Sequence, residues 1–426
     1  MRRDDIIGQD IDWTTIFLFL ALVFLGWINI YAAGYDEELS NSLFNYSGTM
    51  TNAQRQFIFI GASIILIVGI MVIDLRFFDA FGYVIYGAVL ILLLLVPFIG
   101  KEVGGNKSWI GIGTFGVQPS EFAKFATTLA VAKLIGSVNF KMDNFRNQVI
   151  LFALIALPMG LILLQKDFGT ALVFSVFVLV FFREGMSPFL ILAGTVATVI
   201  FILTLLVPNQ WYLHGAVVAI VLVIILLGKK KAKRIAFLSF AAILIIGSIE
   251  SVDYVVSRLK PHHQNRLKAL INPDADPRGY GWNVTQSKIA IGSGGFSGKG
   301  FLKGTQTKFD FVPEQDTDFI FCTIGEEHGW IGSALVIALF VTLLLRLVYI
   351  AERQKQRFAR AFGYSVVSIF FFHFAVNIGM TIGLFPVIGI PLPFFSYGGS
   401  ALIGFTVLLF IFLKLDSHRG QVLQRI

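Results

Sequence analysis

The chain has 426 residues, of which 56% are hydrophobic and only 14% charged. Soluble domains carry about 25% charged residues, so a water-soluble fold is excluded and a polytopic membrane protein is implied. The net charge of +8 would suggest nucleic acid in a soluble protein. In a membrane protein, cytoplasmic cations and anionic lipid account for it, and no nucleic-acid partner is expected. The single cysteine, Cys322, lies in an apolar run, which excludes a disulfide framework. The start, MRRDD, precedes no short apolar region with a small-residue cleavage site, so the first span reads as retained.

A membrane span needs about 20 mostly apolar residues. Twelve such runs are read along the chain, near 13–33, 56–74, 79–99, 119–136, 148–165, 169–183, 187–208, 212–228, 235–256, 319–350, 361–384 and 399–415. The runs at 148–165 and 169–183 are short. The run 319–350 is too long for one perpendicular helix, so it tilts or begins outside the bilayer. The fold class is therefore all-α, with about twelve transmembrane helices.

Orientation follows from Lys and Arg in the short loops. Arg76, Lys141, Arg146, Arg183, the block Lys229–Arg234, the block Arg353–Arg360, Arg419 and Arg425 share one side when both termini are cytoplasmic. The long segment 258–318 then lies outside the cytoplasm. It is polar, basic and glycine-rich, and it ends in Glu314, Asp316 and Asp318. Polar loops of this length are usually functional. Its cations call for an anionic ligand, because long loops translocate largely regardless of charge.

Four groups of residues can carry chemistry. Asp318 can act as a general base at the membrane surface, with a tunable pKa; equally, Asp316, Thr317 or Asp318 can simply cap the next helix. Glu121 and Lys124, three apart behind Pro119, share a helix face. Charge inside a span marks function by default, although the two can also merely neutralise each other. On one continuous helix, Glu326 would lie about 80° from Asp318 and Glu327 about 180°, so at most one of them lines the same cavity. Asp167 reads as a helix N-cap. The run IGSGGFSGKG fails the phosphate-loop pattern, because Ser293 replaces its first glycine. It reads first as a flexible, membrane-hugging turn segment, whose backbone N–H groups can still meet a diphosphate, with Lys299 nearby. His262, His263, His328 and His373 lack metal-ligand spacing.

The strings QPSEFAKF, QKDFGTAL, QSKIAIGSGGFSGKG, VPEQDTDFIF and NIGMTIGLFPVIGIPLPFFSYGGSAL occur in this order over about two thirds of the chain. Together they resemble the SEDS family of shape, elongation, division and sporulation proteins, in its RodA-type branch. The resemblance implies a glycosyltransferase that polymerises lipid II into peptidoglycan strands during elongation and cell-shape maintenance. It implies a class B penicillin-binding protein and other elongation-complex proteins as partners. The cytoplasmic (inner) membrane is the implied site. It puts the essential Asp on Asp318 and the charged pair on Glu121 and Lys124. Arg266, Lys299, Gln286 and Ser396 are the other expected substrate-binding residues. A divalent cation, magnesium or manganese, is the only cofactor left open. Two departures stand out: Asp316 replaces the usual His two residues before the essential Asp, and twelve spans replace the usual ten. The extra pair falls near 209–234, as a hairpin inserted into one integral-membrane domain. A lipid II flippase and a non-catalytic scaffold for a transpeptidase are the rival functions.

Overall fold

A computed structural model describes residues 11–35, 50–103, 106–112, 115–207, 209–228, 232–258, 280–309 and 311–419. Its helices are α1 (Trp13–Ala33), α2 (Asn52–Val72), α3 (Leu75–Ile99), α4 (Pro119–Ile135), α5 (Phe145–Leu164), α6 (Phe168–Val173) and α7 (Phe177–Arg183). Beyond these lie α8 (Phe189–Leu206), α9 (Gln210–Leu227), α10 (Ala232–Arg258), α11 (Tyr280–Gly294), α12 (Ile320–Glu352), α13 (Arg357–Thr381) and α14 (Gly399–Ser417). Each of the twelve expected runs is mainly helical over its described residues. Among the described residues, nine helices are long and apolar enough to cross a membrane. α6 and α7 form one run, joined by a 3-10 turn at Phe174–Val176.

α2, α3 and α5 start upstream of their apolar windows because polar caps set them. Thr51 and Gln54 form a capping box ahead of α2, and Asp74 accepts from the Arg76 N–H ahead of α3. Between α3 and α4 the chain departs from the all-helical reading. Lys101–Val103, Asn106–Ile112 and Phe115–Val117 form strands β1, β2 and β3, paired antiparallel in that order. Eighteen residues separate Ile99 from Gln118, and the paired strands satisfy their own backbone groups locally.

The chain divides into two compact units. One comprises Met1–Met186, Gln286–Ile382 and Ile388–Ile426; the other comprises Ser187–Thr285 and Gly383–Val387. In the second unit α10 packs on both α8 and α9. In the first, α4 is the central helix. It packs on α3, α5, α13 and α14, and nearly all its side chains are buried. In lipid, helices gain little from hydrophobic burial against each other; close packing and interhelical hydrogen bonds replace it. Gly26 of α1 meets the Phe395 backbone so closely that an added Cβ would sit 2.6 Å from its Cα. Asn29 Nδ2 donates to the Ile320 carbonyl at 3.1 Å, and Gln315 Nε2 to the Ala33 carbonyl at 3.1 Å.

α12 has 33 residues, about 50 Å at 1.5 Å per residue, against a hydrocarbon core of about 30 Å. It does not run straight. Gly329 has φ 63 and ψ −154, and this non-helical residue breaks the helix. An unbroken helix would bond the Trp330 and Ile331 N–H groups to the Glu326 and Glu327 carbonyls. Instead they donate to the Gly295 and Phe296 carbonyls at 3.0 and 3.2 Å. The two abandoned carbonyls accept from the N–H groups of Lys299 and Gly300 at 3.0 and 2.9 Å. Four backbone groups change partners and none is lost. This exchange is what the glycine run does: the N–H groups of Gly298, Lys299 and Gly300 are all spent inside the protein, so these three are not free to meet a diphosphate.

The segment 258–318 is likewise not all loop. Residues 280–294 form α11, and α10 runs on to Arg258. Residues 259–279, and with them Arg266, lie outside the described residues. At the other end of α12 from Asp318, ion pairs tie the helix termini together. Arg346 binds Asp12 at 2.6 Å, Arg353 binds Asp416, and Arg360 binds Glu184 at 2.8 Å.

Candidate functional site

Asp318 stands in a turn, two residues before α12. The residue at the helix N-cap is Phe319, and no side chain caps the helix. The helix-cap reading of Asp316, Thr317 and Asp318 is therefore overturned. The angular argument for Glu326 and Glu327 also lapses, because Asp318 is not on their helix. Among the described residues no side chain donates to the Asp318 carboxylate. Its backbone carbonyl accepts from Asn377 Nδ2 at 2.8 Å. Gly389, at φ 77, comes so close that a Cβ added there would lie 3.1 Å from Asp318 Oδ2.

Asp318 keeps a partly exposed surface, yet its carboxyl is enclosed by protein. Burial pushes its pKa up from 3.8 to about 7, and the negative charges of Glu314, Asp167 and Asp316 add to the shift. A carboxyl that titrates near neutrality is matched to proton abstraction. Asp316 is held by Asn52 Nδ2 on one side, and its carbonyl accepts from the Tyr397 N–H at 2.8 Å.

Lys124 is buried on α4. Its Nζ lies 2.8 Å from Glu121 Oε2, 3.1 Å from His373 Nε2 and 4.5 Å from the centre of the Phe405 ring. The Glu121–Lys124 pair expected from spacing is thus formed. Asp167 caps α6 as expected, accepting from the Thr170 N–H at 3.1 Å and from Thr170 Oγ1 at 2.9 Å. It also accepts from Gln118 Nε2 at 2.9 Å. Its charge reaches both Asp318 and Lys124, so this cap residue belongs to the electrostatics of the site.

The other expected residues are placed less directly. Lys299 Nζ is engaged by Glu326 Oε1 at 2.6 Å and Thr305 Oγ1 at 2.7 Å. Glu326 also accepts from the N–H groups of Thr305, Gln306 and Thr307, so it organises the loop ahead of Asp318. Gln286 is buried on α11, next to Ser287, whose hydroxyl donates to the Thr381 carbonyl at 2.9 Å. Ser396 is buried in the turn before α14, where its Oγ accepts from the Leu392 N–H at 2.9 Å. Among the described residues no three His, Cys, Asp or Glu side chains gather as a metal site. A cavity of about 280 Å³ opens at Glu102, Lys107 and Lys166, and Asp318 does not line it.

Sequence reasoning missed two residues. His373 was weighed only as a metal ligand, and Asn377 was not singled out at all. Both are buried polar residues within the α13 span, and that rarity is the signal that could have found them.

The chain that carries this carboxyl and this buried ammonium is similar to known proteins. A family model described as cell cycle protein, FTSW_RODA_SPOVE, matches residues 12–215 and 195–421. The chain belongs to this family. It is 32% identical over 425 residues to the peptidoglycan glycosyltransferase RodA of Treponema pallidum, covering 92% of this chain and 94% of that one. To the peptidoglycan glycosyltransferase MrdB of Escherichia coli K12 it is 34% identical, covering 85% of each. Among solved structures it resembles a chain of a peptidoglycan synthase complex studied for the coordination of polymerization and crosslinking. That match has a TM-score of 0.71 and 26% identity, over 97% of this chain and all of that one. Thermus thermophilus rod shape determining protein RodA matches with a TM-score of 0.62 and 25% identity, over 97% and 99% of the two chains.

Proposed function

We propose that this chain is a peptidoglycan glycosyltransferase that polymerises lipid II at the outer face of the cytoplasmic membrane, during elongation and cell-shape maintenance. The observation that carries the reading is Asp318: a carboxyl outside the helix, with no side-chain donor among the described residues, that titrates near pH 7. Asp318 takes the proton of the acceptor GlcNAc 4-hydroxyl. The freed oxygen attacks the anomeric carbon of the donor chain from the face opposite its lipid diphosphate. The C–O bond to the diphosphate breaks, the diphosphate leaves with the electron pair, and the anomeric configuration inverts. No second carboxyl is needed as acid, because diphosphate leaves without protonation; glycosidases, with poorer leaving groups, use two.

Cationic stabilisation of the departing diphosphate is assigned first to Lys124, with Glu121 holding it. Lys299 and Arg266 are secondary cations, and a divalent ion can share the role. Gln286 and Ser396 belong to the walls of the substrate path. Substrate enters laterally from lipid. Both termini are cytoplasmic, which places the Arg346, Arg353 and Arg360 end of the bundle inside. The proposed partner is a class B penicillin-binding protein, which cross-links the strand as it emerges. The similarity to a chain of a synthase complex supports that pairing.

The test is polymerisation of lipid II by purified protein in detergent. Glycan strands that disappear on Asp318→Asn support the reading. Absence of any strand from folded wild type, alone and with a class B partner, leaves a flippase or a scaffold.

A further inference from the structure

Among its buried polar side chains α13 carries His373 and Asn377, about one turn apart, and both reach the same short stretch of chain. His373 Nδ1 lies 2.9 Å from the Pro391 carbonyl oxygen. A carbonyl only accepts, so Nδ1 carries the ring hydrogen, and Nε2 is left as an acceptor. That acceptor faces Lys124 Nζ at 3.1 Å. Asn377 Nδ2 donates both to the Ile390 carbonyl and to the Asp318 carbonyl, each at 2.8 Å. Ile390 and Pro391 are adjacent, and they follow Gly389, where an added Cβ would meet the Asp318 carboxylate. One helix turn therefore holds the ammonium with one hand and the carboxyl-bearing turn with the other, and both side chains also bond the neighbouring carbonyls of Ile390 and Pro391.

We infer that His373 and Asn377 are positioning residues that fix the distance between Lys124 and Asp318 through the Ile390–Pro391 segment. The inference rests on the proposed roles of those two charged groups. His373 is not a cation here: a protonated ring would put a second positive charge 3.1 Å from Lys124. Its work is to accept one hydrogen bond from Lys124 and donate one to Pro391, which orients the ammonium that Glu121 neutralises from the other side. The Phe405 ring lies against both His373 and Lys124, with its centroid 4.8 Å from the imidazole centroid and 4.5 Å from Nζ, and it blocks other directions. Displacements of about 1 Å in a reacting geometry can cost two orders of magnitude in rate, which is the scale on which such a tie acts.

The test compares His373→Gln with His373→Met in purified protein that polymerises lipid II. The two replacements are similar in length and volume, but only glutamine offers an acceptor for Lys124 and a donor for Pro391. The glutamine variant is expected to keep kcat within about threefold of wild type; the methionine variant is expected to lose at least about tenfold in kcat with KM changed less than about threefold. A merely space-filling role predicts equal rates for the two, and that result overturns the inference, as does a glutamine variant as slow as the methionine one. Should the methionine variant not fold, Asn377→Asp decides. It keeps the shape and removes the donor to both carbonyls, and a wild-type kcat there overturns the inference. Asp318→Asn is run alongside. If it retains the wild-type rate, the assignment of the base fails instead, and the two failures are told apart.

Discussion

At the scale of single residues, the account turns on the protonation of Asp318. Its carboxyl is raised to about 7, and only the ionised form takes a proton. Activity should therefore fall on the acid side with a midpoint near pH 7, about tenfold per unit below it. Glu314→Gln removes the largest of the like charges and should move that midpoint to lower pH; an unmoved midpoint in a pH–rate profile would detach the limb from Asp318. Stability runs the opposite way. A carboxyl raised from 3.8 favours the fold while protonated, fully so below about pH 4, and that contribution is lost as pH rises through about 7. Asp318→Asn should accordingly melt higher than wild type at pH 8, with the gap narrowing toward pH 5, while polymerisation is lost. Lys124→Ala should lower activity strongly, and Lys124→Arg should rescue it poorly, since a planar fork does not replace a point charge in a closed pocket. Full recovery on also neutralising Glu121 would reduce the pair to a structural one.

At the scale of elements, two devices lend themselves to measurement. Lys414 of α14 is buried and donates to the Ile70, Met71 and Ile73 carbonyls, which are the open C-terminal end of α2. Lys414→Met should cost about 1–3 kcal/mol by leaving buried acceptors unpaired, read as a lowered unfolding midpoint with residual activity per folded molecule retained. The second device is the partner exchange at Gly329, where an added Cβ would lie 2.4 Å from the Gly298 backbone nitrogen. Gly329→Ala should disrupt the seating of residues 294–300 and lower both stability and activity. The twelve helical runs were legible because lipid demands long apolar stretches whose backbone bonds close internally. The interlock was not, because it joins residues about thirty apart through main-chain atoms that carry no side-chain signature. The strands between α3 and α4 and the helix α11 were hidden for a related reason: they are short, polar and glycine-interrupted, so no period emerges. Asp318, Glu121 and Lys124 could be read from charge at span ends, whereas His373 and Asn377 acquire their meaning only from a turn around Ile390 and Pro391.

At the scale of the whole molecule, orientation and the added hairpin are open to direct measurement. We propose that α9 and α10 are the inserted pair, with the block KKKAKR (229–234) at their junction as a cytoplasmic stop. Two added spans preserve parity and keep Asp318 outside, whereas a single one would put it in the cytoplasm. In a Cys322→Ser background, with any outer barrier removed, an impermeant maleimide should label the exposed Lys303→Cys on intact cells. Ala232→Cys should stay protected until the membrane is opened, and equal labelling of both would refute the topology. The central claim is tested most directly by giving purified wild type and Asp318→Asn the same lipid II in detergent and resolving the products by length. The account predicts glycan strands from the wild type and at least about a hundredfold fewer from an equally folded Asp318→Asn. Strands of equal yield from both proteins would contradict it.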